Sequence, residues 1–553
     1  HSFLWFQLAT APDVEVGAAP PIDTLPEYVT LVMTDGIGSL LAGRGKTLFE
    51  REVVRQYLPL RRWYGGKDAT LDTTTMLSVA PFPPTAPHSL MTVIEARFVG
   101  DVSPQRYFLP LIVDWREIHA LPPQLQTLTV AKVRKGAREG TLYEAAAGDI
   151  FALDLVDHVR RNLSLDLTDG SLRFAPTAAF AEKPAPEAPT VRLLGGEQSN
   201  SSILLEDYLV IKLYRRLSSG THPEIEMGRF LTDVAGFPNT PPLLGTVEFL
   251  DAKGVPTALA CLHGFIRNQG DGWTFSLSYL ERFLDEHVLL PVEELAQRLD
   301  LHAVYVTQAR QLGLRTAELH RALCRADADK AFAPEPLTSA YLRSYLRKVR
   351  QQGAAALKTL ADRQQQLPPE LVERVAPLLT RRNETLARVG QALPARIDAA
   401  RCRIHGDYHL GQVLVAQNDF YVLDFEGEPN RSLEERREKQ IALKDVAGMV
   451  RSFDYCAWTA VEKVATNHPD RRDALAALAL GWRDAAVSAF LDSYRAAIAG
   501  CPAYPSDESA AKVLLELAIM EKLFYEIGYE LANRPAWLRI PLASAAHLLR
   551  EAT

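Results

Sequence analysis

Arg403-Ile404-His405-Gly406-Asp407-Tyr408-His409-Leu410-Gly411-Gln412, followed by Val422-Leu423-Asp424-Phe425-Glu426-Gly427, decides how this chain is read. It places an aspartate, a carboxamide five residues later and a second aspartate seventeen residues later. Phosphoryl transfer from a nucleotide uses that order. One carboxylate, Asp407, takes the proton of the attacking hydroxyl; the carboxamide Gln412 and the second carboxylate Asp424 hold magnesium on the phosphates. Between them run Val413–Ala416, a polar turn at Gln417-Asn418-Asp419, and Phe420–Leu423. This pattern predicts a short hairpin that returns Asp424 to the side of Asp407 and Gln412. Taken singly, the aspartates could be unrelated surface residues. His-Gly before the first and Glu-Gly after the second favour the phosphotransfer reading.

Working outward, 553 residues exceed one compact core, so two or three domains are expected. An apolar fraction of 47% with 23% charged residues is that of an ordinary globular chain. The net charge of −7 carries no basic excess and argues against nucleic acid as a partner. The five cysteines are far apart in sequence, with no Cys-x-x-Cys and no His/Cys cluster, which suggests reduced thiols and a cytoplasmic setting. No run of about eighteen apolar residues is read, so no membrane span is expected. His1–Leu8 reads as a short strand and Ala9–Pro26 as a linker, so the chain is expected to be part of a longer polypeptide.

The organisation expected is residues 1–24 as terminal strand and linker, 25–106 as a small cap subdomain, 107–268 as a β-rich subdomain, and 269–553 as a helical lobe. Strands are predicted at Val191–Leu194, Ser202–Leu205, Leu209–Tyr214, Thr246–Phe249 and Ala258–Leu262, with a helix starting near Pro223. Strands first and helices later is an α+β, bilobal, protein-kinase-like layout.

Lys212 lies on a strongly apolar strand, where a charge needs a partner. In a kinase-type lobe it would hold phosphate and pair with a glutamate on the next helix. Glu226 is the preferred partner and Glu224 the fallback. The turn at Gly195–Ser202 lacks G-x-G-x-x-G, yet Gln198, Ser199, Asn200 and Ser201 could offer phosphate donors; an ordinary polar hairpin explains it equally well. His405 reads as an organiser of the catalytic loop rather than a proton carrier. Ile441–Tyr455 reads as a helix under the site, with Lys444 as a pocket or ion-pair residue. Tyr525 and Tyr529 share a face of a terminal helix, as do Lys522 and Glu526. Pattern alone fits core tyrosines slightly better than a sugar-stacking wall.

Taken in order, Arg61–Lys67, Asn268–Trp273, the catalytic loop, Asp424–Pro429, Leu443–Tyr455 and the tyrosine-rich helix ending in Asn533-Arg534-Pro535 resemble the bacterial maltokinases. These are sugar kinases of the aminoglycoside-phosphotransferase-like branch of the protein-kinase-like superfamily. The resemblance implies an N-terminal cap, a β-rich N-lobe and a helical C-lobe. It implies ATP and Mg²⁺, with phosphorylation of maltose to maltose 1-phosphate for α-glucan synthesis. It also implies Asp407 as base, Gln412 and Asp424 as metal ligands, Lys212 on phosphate, and Lys444, Tyr525, Glu526 and Tyr529 toward the sugar. The opening strand is similar to the end of trehalose synthase, which implies that enzyme as a fused or associated partner. Two rivals remain: a phosphotransferase for another small hydroxylated acceptor, and a non-catalytic module of trehalose synthase.

Overall fold

The computed structural model describes residues 27–184, 186–187, 189–194, 199–289, 301–325 and 329–550. The strand and linker expected over residues 1–24 lie outside these. The chain divides into two compact units, His1–Ala147 and Gly148–Thr553.

In the first unit, helical turns over residues 43–60 accompany a sheet of β1 (Thr30–Val32), β2 (Leu71–Phe82), β3 (Ser89–Phe98), β4 (Gln105–Asp114), β5 (Thr129–Lys135) and β6 (Arg138–Glu144). The strand order is β1-β5-β6-β4-β3-β2. The cap boundary expected at residue 106 therefore falls inside β4, which pairs with β3 from Ala96–Gln105 to Ser89–Ile112. A cut there would split the β3–β4 pairing, whereas the first compact unit runs on through β6 to Ala147. Phe49, Leu58, Tyr107, Leu109 and Leu142 form its buried core.

The second unit opens with helix α1 (Asp149–Arg160) and a seven-stranded sheet. Its strands are β7 (Ser164–Leu167), β8 (Gly170–Pro176), β9 (Val191–Leu193), β10 (Asn200–Leu205), β11 (Leu209–Tyr214), β12 (Leu243–Asp251) and β13 (Pro256–Gly264), ordered β7-β8-β12-β13-β11-β10-β9. Helix α2 (Pro223–Arg229) follows β11. Ser202 pairs with Lys212, and Lys212 with Cys261. Strand alternation then puts Asn200, Ser202, Lys212, Tyr214, Cys261 and His263 on one face.

The rest is mainly helical, with one hairpin and a short pairing of Glu335–Pro336 with Ala400–Arg401. Helices α3 (Gly272–His287), α4 (Ala303–Leu323), α5 (Ser339–Asp362), α6 (Leu443–Ala465), α7 (Arg472–Ile498), α8 (Glu508–Asn533) and α9 (Arg539–Arg550) pack around a shared apolar core. Asp271 caps α3 by accepting from Thr274 N at 2.7 Å. The stretch Pro469–Ile498 is long and apolar enough to cross a membrane by composition, contrary to the sequence expectation. Trp482, Phe490 and Ile498 on it are fully buried in the helical core.

The predicted hairpin is β14 (Val413–Ala416) and β15 (Asp419–Val422). Gln417 and Asn418 have φ of 53° and 61°, the two-residue turn whose twist matches paired strands. Asp419 anchors the turn to α4, accepting from Arg315 Nη2 at 2.7 Å and Gln311 Nε2 at 2.9 Å. Gln269 N donates to Val415 O at 2.8 Å, tying the sheet–helix connection to the hairpin.

Candidate active site

Lys212 Nζ lies 2.8 Å from Glu224 Oε2, 2.5 Å from Asp424 Oδ1 and 2.6 Å from Glu426 Oε1. Its helix partner is Glu224, not the preferred Glu226. Glu224 is in the first turn of α2, 3% exposed, and also accepts from Tyr214 OH at 2.7 Å. Glu226 is two residues on, about 200° around the helix axis. It faces away, toward Arg403 Nη1 at 2.6 Å and Arg437 Nη2 at 2.6 Å. Burial alone would lower the Lys212 pKa, but Asp424, Glu224 and Glu426 outweigh it and hold the ammonium well above its ordinary range. Burial, reinforced by Asp424 against the pull of Lys212, raises the Glu426 carboxyl to about 6.

Behind this pair, His263 Nε2 lies 3.4 Å from Glu224 Oε1 and 3.3 Å from Cys261 Sγ. The sequence reading found no His/Cys cluster. Cys261-x-His263 on a strand, with period two, is the signal that could have revealed it.

The catalytic loop is held from beneath by α6. Asp445 Oδ2 accepts from His405 N at 2.7 Å, and Asp445 Oδ1 from Gly406 N at 2.9 Å. His405 Nε2 lies 2.7 Å from Leu423 O, and its Nδ1 lies 3.3 Å from Asp407 N. His405 thus ties the loop of Asp407 to the residue before Asp424, the organising role expected of it. Gly406 has φ of +85°, and a Cβ there would meet Gly427 Cα at 3.4 Å. Asp424 itself adopts φ of +62°, a conformation that a non-glycine residue holds only when its neighbours fix it. Those neighbours are Lys212 and Gln412, whose Nε2 donates to Asp424 Oδ2 at 3.1 Å.

Carboxylate oxygens of Glu224, Asp424 and Glu426 lie within 4.8 Å of one another, a group able to hold a cation. With the Gln412 carboxamide beside them, the donors are hard oxygens of the kind Mg²⁺ takes. Asp424 and Gln412 fit the role expected of them, and Glu426 joins them. The sequence reading named Glu426 only as part of the motif that follows Asp424.

Two cavities meet at this loop. The first, about 690 Å³, is lined by Lys212, Glu224, His263, Phe265, Gln412 and Asp424 on one side and by Ser199, Asn200 and Ser202 on another. Ser199 and Asn200 are where phosphate donors were expected; Asn200 Nδ2 also donates to Glu426 Oε1 at 2.6 Å. Ser201 does not line the cavity, because alternation turns it to the opposite face, where it accepts from Arg215 Nε at 2.8 Å. Gln198 lies outside the described residues.

The second cavity is lined by Gly406, Tyr408, Glu428, Arg431, Lys444, Glu521, Lys522 and Tyr525. Lys444 and Tyr525 are placed there as expected. Glu526 is not: a helical residue step turns it toward α6, where its Oε2 accepts from Arg451 Nη2 at 2.7 Å. Tyr529 lies outside, stacked on Tyr525 at 6.0 Å, with the Arg534 guanidinium 5.3 Å from its ring. The reading paired Lys522 with Glu526 on the helix and missed Glu521. Glu521 precedes Tyr525 by four residues, so the same-face rule applied to Tyr529 would have found it. Asp407 lies in the loop between Gly406 and Tyr408 of this lining, its Oδ1 3.7 Å from Lys522 Nζ.

The sequence pattern of the phosphotransferase enzyme family matches residues 190–427, and that of the maltokinase N-terminal cap domain matches residues 57–148. Residues 190–427, which hold Lys212, Asp407, Gln412 and Asp424, are therefore similar to the phosphotransferase enzyme family. A glucosamine kinase of Streptacidiphilus jiangxiensis is 26% identical over 433 residues, 76% of this chain and 86% of the relative. One of Mycolicibacterium smegmatis is 27% identical over 362 residues, 65% and 79% of the two chains. A glucosamine kinase solved in complex with glucosamine, ADP and inorganic phosphate superposes with a TM-score of 0.59 at 22% identity. That match covers 94% of this chain and 100% of the solved chain, and it shows a shared fold.

Proposed function

We propose that this protein is a Mg-ATP-dependent sugar kinase that phosphorylates maltose at its anomeric hydroxyl. The observation that carries the reading is the loop around Asp407: Gly411 and Gln412 line a cavity with Lys212 and Asp424, and Gly406 and Tyr408 line a cavity with Tyr525 and hydrogen-bonding side chains. Asp407 accepts the proton of the acceptor hydroxyl as that oxygen attacks the terminal phosphorus. Lys212, fixed by Glu224, neutralises the remaining phosphates. Gln412, Asp424 and Glu426 would hold magnesium, which supplies charge neutralisation on the phosphate oxygens.

Maltose is favoured over an amino sugar by the charges of the second cavity. Glu521 is paired with Lys444 at 2.9 Å, and Glu428 with Arg431 at 2.5 Å. Asp445 is taken by the catalytic-loop amides and by His320. No lining carboxylate among the described residues is left over for a substrate ammonium, whereas the Tyr525 ring and these polar groups suit a neutral polyol. The maltokinase-type cap supports the same acceptor. The second reading, glucosamine, is favoured by the relatives. In our reading the protein acts in the cytoplasm, takes its maltose from a trehalose synthase partner, and supplies maltose 1-phosphate to α-glucan synthesis. ADP release across maltose, glucosamine, trehalose, glucose and maltotriose tests the acceptor. Maltose should give the highest kcat/KM; a higher value for glucosamine would replace it.

A further inference from the structure

We propose that Lys522 is a catalytic cation that binds the phosphoryl group as it passes to the acceptor oxygen, an inference that rests on the sugar-kinase reading. Four cationic side chains line the second cavity: Arg431, Arg436, Lys444 and Lys522. Three are spent on the protein. Arg431 Nε donates to Glu428 at 2.5 Å, Arg436 Nη2 to Pro429 O at 2.6 Å, and Lys444 Nζ to Gln440 Oε1 at 2.8 Å and Glu521 Oε1 at 3.0 Å.

Lys522 differs. Its Nζ stands 3.7 Å from Asp407 Oδ1 and 3.8 Å from Glu428 Oε1, and it donates no hydrogen bond to any described residue. It is 26% exposed and lies 5.2 Å from the centroid of the Tyr525 ring. A largely buried ammonium with its donors unmade is costly unless a ligand completes it. The two carboxylates are near enough to keep it charged and too far to consume its three N–H groups. Burial alone would lower its pKa, but Asp407 and Glu428 outweigh that and raise it.

The only reacting charge that must pass beside Asp407 is the phosphoryl in flight. The acceptor O–H gives its proton to Asp407, and the new O–P bond forms at the acceptor oxygen. The bond from phosphorus to the bridging oxygen breaks, and the nucleoside diphosphate leaves with the electron pair. Lys522 keeps its proton throughout and donates hydrogen bonds to non-bridging oxygens, more strongly as their charge develops.

The test uses the full chain, Lys522→Met and Lys522→Arg, with thermal melting as a folding control. Steady-state kinetics use whichever sugar the wild-type protein phosphorylates best. Calorimetry measures inorganic phosphate binding to the Mg-ADP-loaded protein. For Lys522→Met, kcat should fall about 10²–10³-fold while the acceptor KM stays within about threefold, the signature of an interaction strongest in the transition state. Lys522→Arg should recover roughly tenfold of that loss, and phosphate affinity should drop about tenfold in Lys522→Met. An unchanged kcat, a loss confined to the acceptor KM, or unchanged phosphate affinity overturns the proposal. A wild-type protein that phosphorylates no sugar overturns the sugar-kinase reading instead, and the phosphate-binding arm then decides on Lys522 alone.

Discussion

The charge on Lys212 is the residue-scale problem that organises the nucleotide half of the site. An ammonium on an apolar strand must be matched, and three carboxylates match it. Only Glu224 belongs to the neighbouring helix, and it is the most deeply buried of the three. Glu224→Gln should therefore cut kcat/KM for ATP by roughly tenfold or more, since removing one partner of a buried pair costs about 3–5 kcal/mol. Glu226→Gln should leave kcat/KM for ATP within about threefold and act on stability through Arg403 and Arg437. The reverse ranking in parallel ATP titrations would return Glu226 to the role read from the sequence. The spacing that singled out Lys212, Asp407, Gln412 and Asp424 is local, and the fold brings Lys212, Gln412 and Asp424 into contact. The preference for Glu226 did not hold, because Lys212 pairs with Glu224. The start of α2 at Pro223 sets the phase, and puts Glu224 on the inner face.

At the scale of elements, β13 and α2 share a buried polar cluster: His263 and Cys261 from the strand and Glu224 from the helix, beside Lys212 and Tyr214 of β11. Burial by itself would lower the His263 pKa, but contact with Cys261 and Glu224 raises it from 6.5 to about 10. The sign follows directly. A folded-state value above the unfolded one favours folding fully below pH 6.5, and that contribution is lost as pH rises toward about 10. Urea unfolding should show stability falling between pH 7 and 9.5 by up to a few kcal/mol, and His263→Gln should flatten the slope. A slope unchanged in His263→Gln would remove the charged histidine from this account. Elements themselves were largely legible: the β10–β11 and β14–β15 hairpins and the helices α2, α6 and α8 follow from period and turn chemistry. Which residues of α8 reach the cavity was not, because facing depends on the packing of α8 against α6 and α5. Tyr525 points in, Glu526 is drawn to Arg451, and Tyr529 remains outside.

At the scale of the molecule, two compact units divide the chain at Ala147. The α+β, kinase-like layout was readable from strand-rich and helix-rich halves. The cap boundary was not, because β3 and β4 pair across the border placed at residue 106. The helical core includes Trp482, Phe490 and Ile498 of α7. Trp482 is fully buried against Tyr305 at 4.9 Å and Phe453 at 6.0 Å between ring centroids. Trp482→Ala should lower the unfolding free energy by about 3–5 kcal/mol in denaturant titrations, and a change under about 1 kcal/mol would contradict this packing.

The central claim is that Asp407 serves as the base of a sugar-phosphorylating site whose nucleotide half is independent of it. Its most direct test is phosphorus NMR of the product, with ADP release and ATP binding, for wild type and Asp407→Asn under saturating Mg-ATP and maltose. The account predicts maltose 1-phosphate and equimolar ADP from the wild type. It predicts a loss of about 10²–10⁴-fold in rate for Asp407→Asn, with ATP binding nearly intact. Near-wild-type phosphorylation by Asp407→Asn would contradict it.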